Sequence, residues 1–352
     1  MKEPQIGEIL NLYHFTVSPV EFERFGSGHI HQTYRIHADG RFFILQKFNQ
    51  TVFKYPDRIS FNQQYLLNQF DPKVLPFELP LPIKNKDDQF FSQINGELFR
   101  IFPFVKGMTK DAVDKKSQAR MASEAFAHFI SAFSQVDASV LQESIPDFHN
   151  LVLRYEQFEK SIKNPKIQIN AETRKMIEFY LDKKKLLEKY RYYQQHLPKR
   201  VTHNDTKINN LIFNDPLDKV NAVIDLDTIM AGFVFYDFGD LVRTVACRED
   251  ESSLNWGAIH VDLEKYEGLL EGFIPVLKGK VSAQELKSIS FGGEMMTLIM
   301  GLRFLTDHLN GNIYYHVNYE EQNFHRSKNQ SELLDSLIHH RNAIRKLEEN
   351  IS

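Results

Sequence analysis

The segment Val201-Thr202-His203-Asn204-Asp205-Thr206-Lys207-Ile208-Asn209-Asn210, followed twenty positions after Asp205 by Asp225 in Val223-Ile224-Asp225-Leu226-Asp227, constrains this chain more than any other feature. Between the two blocks, Leu211 to Phe213 reads as a short apolar strand, Asn214-Asp215-Pro216 as a turn, and Val220 to Ile224 as a second apolar strand. Such a hairpin brings Asn210 and Asp225 to one edge, because facing strands lie about 5 Å apart. Asp205 then offers a carboxylate to accept or orient a hydroxyl proton. Asn210 offers an amide oxygen to a cation, and Asp225 a charged ligand for Mg2+ bridging the phosphates of ATP. Either aspartate alone reads as well as the cap of a turn. Together with the hairpin, the three residues predict a phosphoryl-transfer site.

A chain of 352 residues exceeds the usual size of one domain, so two lobes are expected. Residues 1–105 look β-rich and residues 106–352 mainly helical, which gives an α+β fold with a nucleotide-binding lobe ahead of a lobe carrying the catalytic loop and acceptor site. In the first part, Phe25 to Ile36 reads as strand, glycine turn and returning strand, with Arg41 to Phe48 as the next strand. Gly26, Ser27 and Gly28 would let the backbone approach phosphates without Cβ obstruction; a G-x-G of this kind reads equally as a plain hairpin turn. Pro56-Asp57 opens a helix running to about Phe70, and Asn95-Gly96 suits a tight turn between Gln89 to Ile94 and Glu97 to Phe102. The next residues, Pro103 to Gly107, read as the connection between lobes, where Phe102, Phe104 and the neighbouring backbone would meet adenine.

Further helices are expected at Lys116 to Phe133, Ala171 to His196, Leu286 to Leu309 and Ser331 to Leu347, with the Gly292-Gly293 pair weakening the third. Lys183, Lys184 and Lys185 read as a solvated face. With 25% charged residues and a formal net charge of −3, the composition argues against a nucleic-acid-binding surface. The single cysteine, Cys247, excludes an internal disulfide and suits apolar packing in a reducing compartment. No stretch approaches eighteen apolar residues, the first ten residues lack a signal-peptide core, and no tandem repeat is visible, so a cytoplasmic protein without a membrane partner is expected. Oligomeric state has no sequence signal.

The blocks Gly26 to Tyr34 (GSGHIHQTY), Phe43 to Asn49 (FILQKFN), Thr51 to Phe53, Arg100 to Gly107 (RIFPFVKG), Ile145 to His149 (IPDFH), Thr202 to Leu211 (THNDTKINNL), Ile224 to Met230 (IDLDTIM) and Phe304 to Tyr315 (FLTDHLNGNIYY) span most of the chain. In them the sequence resembles the aminoglycoside phosphotransferase and choline kinase group, and within it the branch acting on N-acetylhexosamines. The resemblance implies the bilobal protein-kinase-like fold and ATP-dependent, Mg2+-assisted phosphorylation of the anomeric hydroxyl of an N-acetylated hexose. By motif position, Asp205 would be the catalytic base, Asn210 and Asp225 the metal ligands, and Asp227 and Arg303 the holders of sugar hydroxyl or acetamido groups. His29 and Tyr314 would be further sugar contacts. Arg303 reads equally as an ion-pair partner buried between helices, and His203 as a brace of the catalytic turn.

Two departures from protein kinases stand out. Those enzymes hold phosphates with a strand lysine paired to a helix glutamate. Here the strand offers Gln46 and Lys47, which point to opposite faces, so only one can enter the cleft. The helix from Pro56 contains no Glu, so that ion pair is replaced by amide contacts or supplied from elsewhere. Second, Asp225-Leu226-Asp227 lacks the Phe-Gly of a protein kinase, which favours a small-molecule enzyme. Two other readings stay open: a kinase of the same group acting on an aminoglycoside, amino alcohol or other sugar, and a catalytically silent nucleotide-binding protein.

Overall fold

The computed structural model describes residues 3–15, 21–26, 30–69 and 71–351. Strands β1 (Glu21–Arg24), β2 (Gln32–Ala38), β3 (Arg41–Lys47), β4 (Ser92–Ile94) and β5 (Glu97–Pro103) form an antiparallel sheet of order β1-β2-β3-β5-β4. Alternate residues of a strand face opposite sides, and this sheet uses its sides differently. Ile36, Leu45, Phe99 and Ile101 pack against Ile6 and Ile9 of helix α1 (Glu3–Leu10), an element the sequence reading did not foresee. On the other side lie Gln46, Arg100 and Phe102, with Gln46 directly opposite Arg100 in the strand register.

Helix α2 (Pro56–Gln69) begins on Pro56 with Asp57 in its first turn, where a proline lacks no needed donor and a carboxylate complements the helix dipole. It buries Ile59, Asn62, Gln63 and Leu66, one helical stripe in which two positions are amides.

The remainder is helical: α3 (Lys116–Ala132), α4 (Leu151–Lys163), α5 (Ala171–Asp182), α6 (Lys184–His196), α7 (Val234–Val245), α8 (Leu263–Leu277), α9 (Ala283–Leu309), α10 (Gln322–His339) and α11 (Arg341–Ile351). One apolar core unites α3, α7 and α8; another unites α4, α5, α6 and α9. Two expected helices each prove to be a pair, broken at Lys183 and at His340. By contrast α9 runs unbroken through Gly292 and Gly293. Those glycines serve packing: a Cβ on Gly292 would stand 2.1 Å from the Phe235 carbonyl oxygen, and one on Gly239 2.2 Å from that of Gly292. Cys247 is a buried free thiol.

Two small ladders complete the frame, β6 (Arg200–Thr202) with β9 (Met230–Gly232) and β7 (Leu211–Phe213) with β8 (Val220–Val223). Residues from earlier in the chain grip the β7–β8 hairpin on both edges. Met108 exchanges backbone hydrogen bonds with Phe213 at 2.9 and 2.8 Å, and Glu78 donates to Asn221 at 2.8 Å and accepts from Val223 at 3.1 Å. Gly107 fits this connection as no larger residue would, since a Cβ there would lie 2.3 Å from the Phe213 oxygen. Among the described residues no helix is long and apolar enough to cross a membrane.

Candidate active site

The turn after β6 carries Asp205, and its shape is set from beneath by Asp237 on α7. That carboxylate accepts the backbone N–H groups of His203 and Asn204 at 2.9 and 2.8 Å. Burial raises the Asp237 carboxyl to about 6 against the lowering effect of His203 and these donors. Asn204 takes a left-handed φ of 64°, and its amide donates to the carbonyls of Thr202 and Thr228 at 3.1 and 3.0 Å. His203 is fully buried between Phe126 and Phe129. Its Nδ1 accepts from the Asp205 N–H at 3.3 Å, so the ring proton sits on Nε2, which donates to the Ile224 carbonyl at 3.0 Å. It therefore braces the turn, as expected, and ties it to the residue before Asp225.

The hairpin unites the expected trio at one edge. Asn210 donates through Nδ2 to the Asp205 carbonyl at 2.8 Å and to its Oδ2 at 3.1 Å. That orientation leaves Oδ1 of Asn210 for another partner. Asp225, at φ 62°, makes no side-chain hydrogen bond or ion pair among the described residues. Burial, reinforced by Asp227 and Asp205, raises its carboxyl to about 7 against the opposing pull of His31 and Arg100. A half-buried carboxylate near two others, on the same hairpin edge as an amide oxygen, suits a hard dication that takes its remaining ligands from phosphate and water. Burial also works against the Asp205 charge, but Lys207 at 3.0 Å, His203 and Asn210 bring its carboxyl below the usual range.

The sequence reading placed Asp227 on the sugar; the structure corrects this. Asp227 is 2% exposed, and its two oxygens take hydrogen bonds from Arg100 at 2.6 and 2.7 Å. His31 Nε2 adds a third contact at 3.1 Å. Arg100 comes from β5 and Asp227 from the loop after β8, so the pair joins the sheet to the helical part. Lys47 is corrected as well. It lies on the α1 side of the sheet in an ion pair with Glu97, while Gln46 holds the cleft side and accepts from Arg100 Nε and Nη2 at 3.0 and 2.9 Å. The amides of α2 also reach this loop: Asn62 donates to the Ile229 carbonyl at 2.9 Å and Gln63 to that of Leu226 at 3.4 Å. Contacts to this loop thus come from amides of α2 and from the Arg100–Asp227 pair, with no glutamate of α2 among them.

Arg303, on α9, has no carboxylate partner among the described residues. Its guanidinium lies 5.5, 5.8 and 5.5 Å from the rings of Phe148, Tyr314 and Tyr315, which removes the ion-pair reading. The loop bearing both tyrosines hangs on Asp307, whose oxygens accept the N–H groups of Ile313, Tyr314 and Tyr315 at 3.0, 2.9 and 2.9 Å. Tyr314 is 67% exposed, whereas the Tyr315 hydroxyl is buried without a hydrogen-bond partner among the described residues. Burial lowers His149 to about 3, with Arg303 pulling the same way and Asp205 opposing. Phe148, Arg154 and Tyr315 take no role in the sequence reading, although Phe148 stands in the IPDFH block and Tyr315 ends the FLTDHLNGNIYY block.

Phe102 shares the cleft side of β5, and Phe104 meets Phe25 and Phe42 at 5.8 and 6.0 Å between ring centres. Gly26 has φ +78° and open space where a Cβ would be. Ser27, Gly28 and His29 lie outside the described residues. A polar cavity behind the turn, lined by His149, Asn204, Tyr190 and Tyr236, does not reach Asp205, Asn210 or Asp225.

A β-sheet lobe, a helical lobe and this pair of loops define a protein-kinase-like phosphotransferase. The profile of the family described as "Phosphotransferase enzyme family" matches residues 21–270, and the chain belongs to that family. Solved structures share the whole fold. A spectinomycin phosphotransferase bound to ADP and spectinomycin superposes with a TM-score of 0.54 at 11% identity, covering 98% of this chain and 99% of that one. A microcompartment-associated aminopropanol kinase gives 0.58 at 12%, covering 97% and 98%. The Plasmodium vivax ethanolamine kinase gives 0.54 at 11%, covering 94% and 95%.

Proposed function

We propose that this enzyme transfers the γ-phosphoryl group of ATP to the anomeric hydroxyl of an N-acetylhexosamine, making it an N-acetylhexosamine 1-kinase. The acceptor half of this reading is carried by Arg303, a cation without a carboxylate partner among the described residues, walled by three aromatic rings. Aromatic faces suit the apolar face of a pyranose, and a guanidinium suits an acetamido carbonyl. The ADP of one structural relative supports the nucleotide half. A polycationic aminoglycoside or a protonated amino alcohol would meet Arg303 and its neighbour Arg154, and like charges in apposition repel.

On this reading residues 1–105 cover the nucleotide, residues 106–352 carry the acceptor, and the backbone from Phe102 to Gly107 faces adenine. Asn210 and Asp225 would hold Mg2+, which offsets negative charge on the phosphates as the bond to ADP breaks. Asp205, kept ionised by Lys207, orients the sugar hydroxyl and accepts its proton through a carboxylate oxygen. Arg303 and the Tyr314 side of the loop fix the ring so that one hydroxyl presents to Asp205.

The test is ADP release with N-acetylglucosamine, N-acetylgalactosamine, their unacetylated forms, aminoglycosides and ethanolamine as acceptors, followed by NMR location of the phosphoester. Phosphate on the anomeric oxygen of an N-acetylated sugar is the expected result. Phosphate on C6, or preference for a cationic acceptor, rejects it.

A further inference from the structure

Gln46 holds the cleft side of β3, the strand on which a protein kinase carries its phosphate-holding lysine, and the structure supplies a reason for an amide there. Directly across the strand pair stands Arg100, 2% exposed, its guanidinium stacked among Phe48, Phe91 and Phe102 at 5.1, 5.5 and 4.9 Å. Gln46 Oε1 accepts from two of its nitrogens, which a lysine, having donors only, could not do. The cation of the cleft face has thus moved from one strand to its neighbour.

Its role has changed with it. Nε donates to Gln46, Nη1 to Asp227, and Nη2 to both, which commits four of the five N–H donors of a guanidinium inside the protein. A group so occupied is a strut rather than a phosphate ligand. What it braces is the loop carrying Asp225, two residues before Asp227, and it does so from the opposite lobe.

We propose that Arg100 is the positioning residue that fixes the two lobes and the Asp225 loop in their working arrangement, in place of a lysine–glutamate pair. The inference rests on the kinase reading above only for its activity measurements. Asp227 is its anchor and Gln46 its guide.

The experiment is a compensation test with Arg100→Gln, Gln46→Lys, the double variant and Arg100→Lys. Melting temperature of the protein without nucleotide or metal is read alongside steady-state kinetics. A lysine at 46 is one bond longer than glutamine and reaches toward Asp227 once Arg100 is gone. Arg100→Gln and Gln46→Lys alone are each expected to lower kcat/KM for MgATP by at least about a hundredfold, the scale of leaving a buried charge without its partner. The double variant is expected to recover at least about tenfold over either and to regain melting temperature. KM for MgATP should rise while KM for the acceptor stays, with Arg100→Lys falling between. Additive losses in the double variant, or a wild-type Arg100→Gln, overturn the proposal. So does an unfolded Arg100→Gln whose fold the lysine does not restore, since position 100 then serves stability alone. If the wild type turns over no acceptor the kinase reading fails, and recovery or not of the melting temperature still decides this inference.

Discussion

Ile224 donates its backbone N–H to the Asn210 carbonyl at 2.9 Å, continuing the β7–β8 ladder by one rung. That rung, with the His203 Nε2 bond to the Ile224 carbonyl, couples the turn bearing Asp205 to the residue preceding Asp225. The proposed base and metal ligand therefore occupy one rigid unit rather than two independent loops.

Asp205→Asn removes the proton acceptor while keeping the shape that Asn210 and Lys207 contact. Turnover is expected to fall by roughly 10²- to 10⁴-fold, the range for a positioned base, with nucleotide affinity by calorimetry unchanged. An unaltered kcat refutes the assignment.

Asp225 gives a pH signature. Its folded carboxyl is raised to about 7 from 3.8, so its contribution to stability is present in full below the lower value and lost as pH rises through the upper one. Without metal, Asp225→Asn should gain in melting temperature relative to wild type between about pH 5 and about pH 8. Added Mg2+ should stabilise the wild type at the higher pH and not the variant, which is expected to be inactive. Parallel pH curves for the two proteins contradict this account.

Asp237→Ala leaves the N–H groups of His203 and Asn204 buried without an acceptor. At about 1–3 kcal/mol for each of the two orphaned donors, a loss of roughly 2–6 kcal/mol is expected in denaturant titration. Asp237→Asn, which still offers one oxygen, should lose less; equal losses would show that packing, not hydrogen bonding, dominates.

Gly292→Ala forces α7 and α9 apart, since the new methyl would meet backbone rather than a yielding side chain. Overpacking of this kind costs about 1–3 kcal/mol, against the gain that alanine brings to an exposed helix. A stabilised variant would mean that the helices separate freely.

Arg303→Met keeps much of the apolar stem and removes the donor. Acceptor KM is expected to rise by about 10- to 100-fold, the worth of a charged hydrogen bond, with KM for MgATP unmoved. A shift in the nucleotide KM instead would place Arg303 on the wrong side of the reaction.

The hairpin and its three polar residues were legible because their signals are local: short apolar strands, a turn with proline, and fixed spacing. The β3–β5 sheet and α2 were legible for the same reason. Arg100 with Asp227 was not, because the partners lie 127 positions apart and no periodicity announces a charge pair across lobes. The available clue was Gln46, whose opposite neighbour on β5 is arginine. Asp237 was hidden in α7, a helix buried on nearly every side, where a carboxylate among apolar residues gives no sign that it accepts the N–H groups of a distant turn. The breaks at Lys183 and His340 carry neither glycine nor proline, so continuous helical composition gave no warning. Gly292 misled in the other direction, since its cost to a helix is offset by the contact with α7.

The tyrosine-bearing loop after α9 is moored at residues 313–315 by one carboxylate, Asp307, that meets all three through main-chain N–H groups and is itself held by the Asn323 amide at 2.9 Å. Such a mooring is indifferent to which side chains the loop displays. Exposed Ile313 and Tyr314 can therefore change without disturbing the mooring, whereas Tyr315, 4.9 Å from Phe304 between ring centres, is held by its side chain as well.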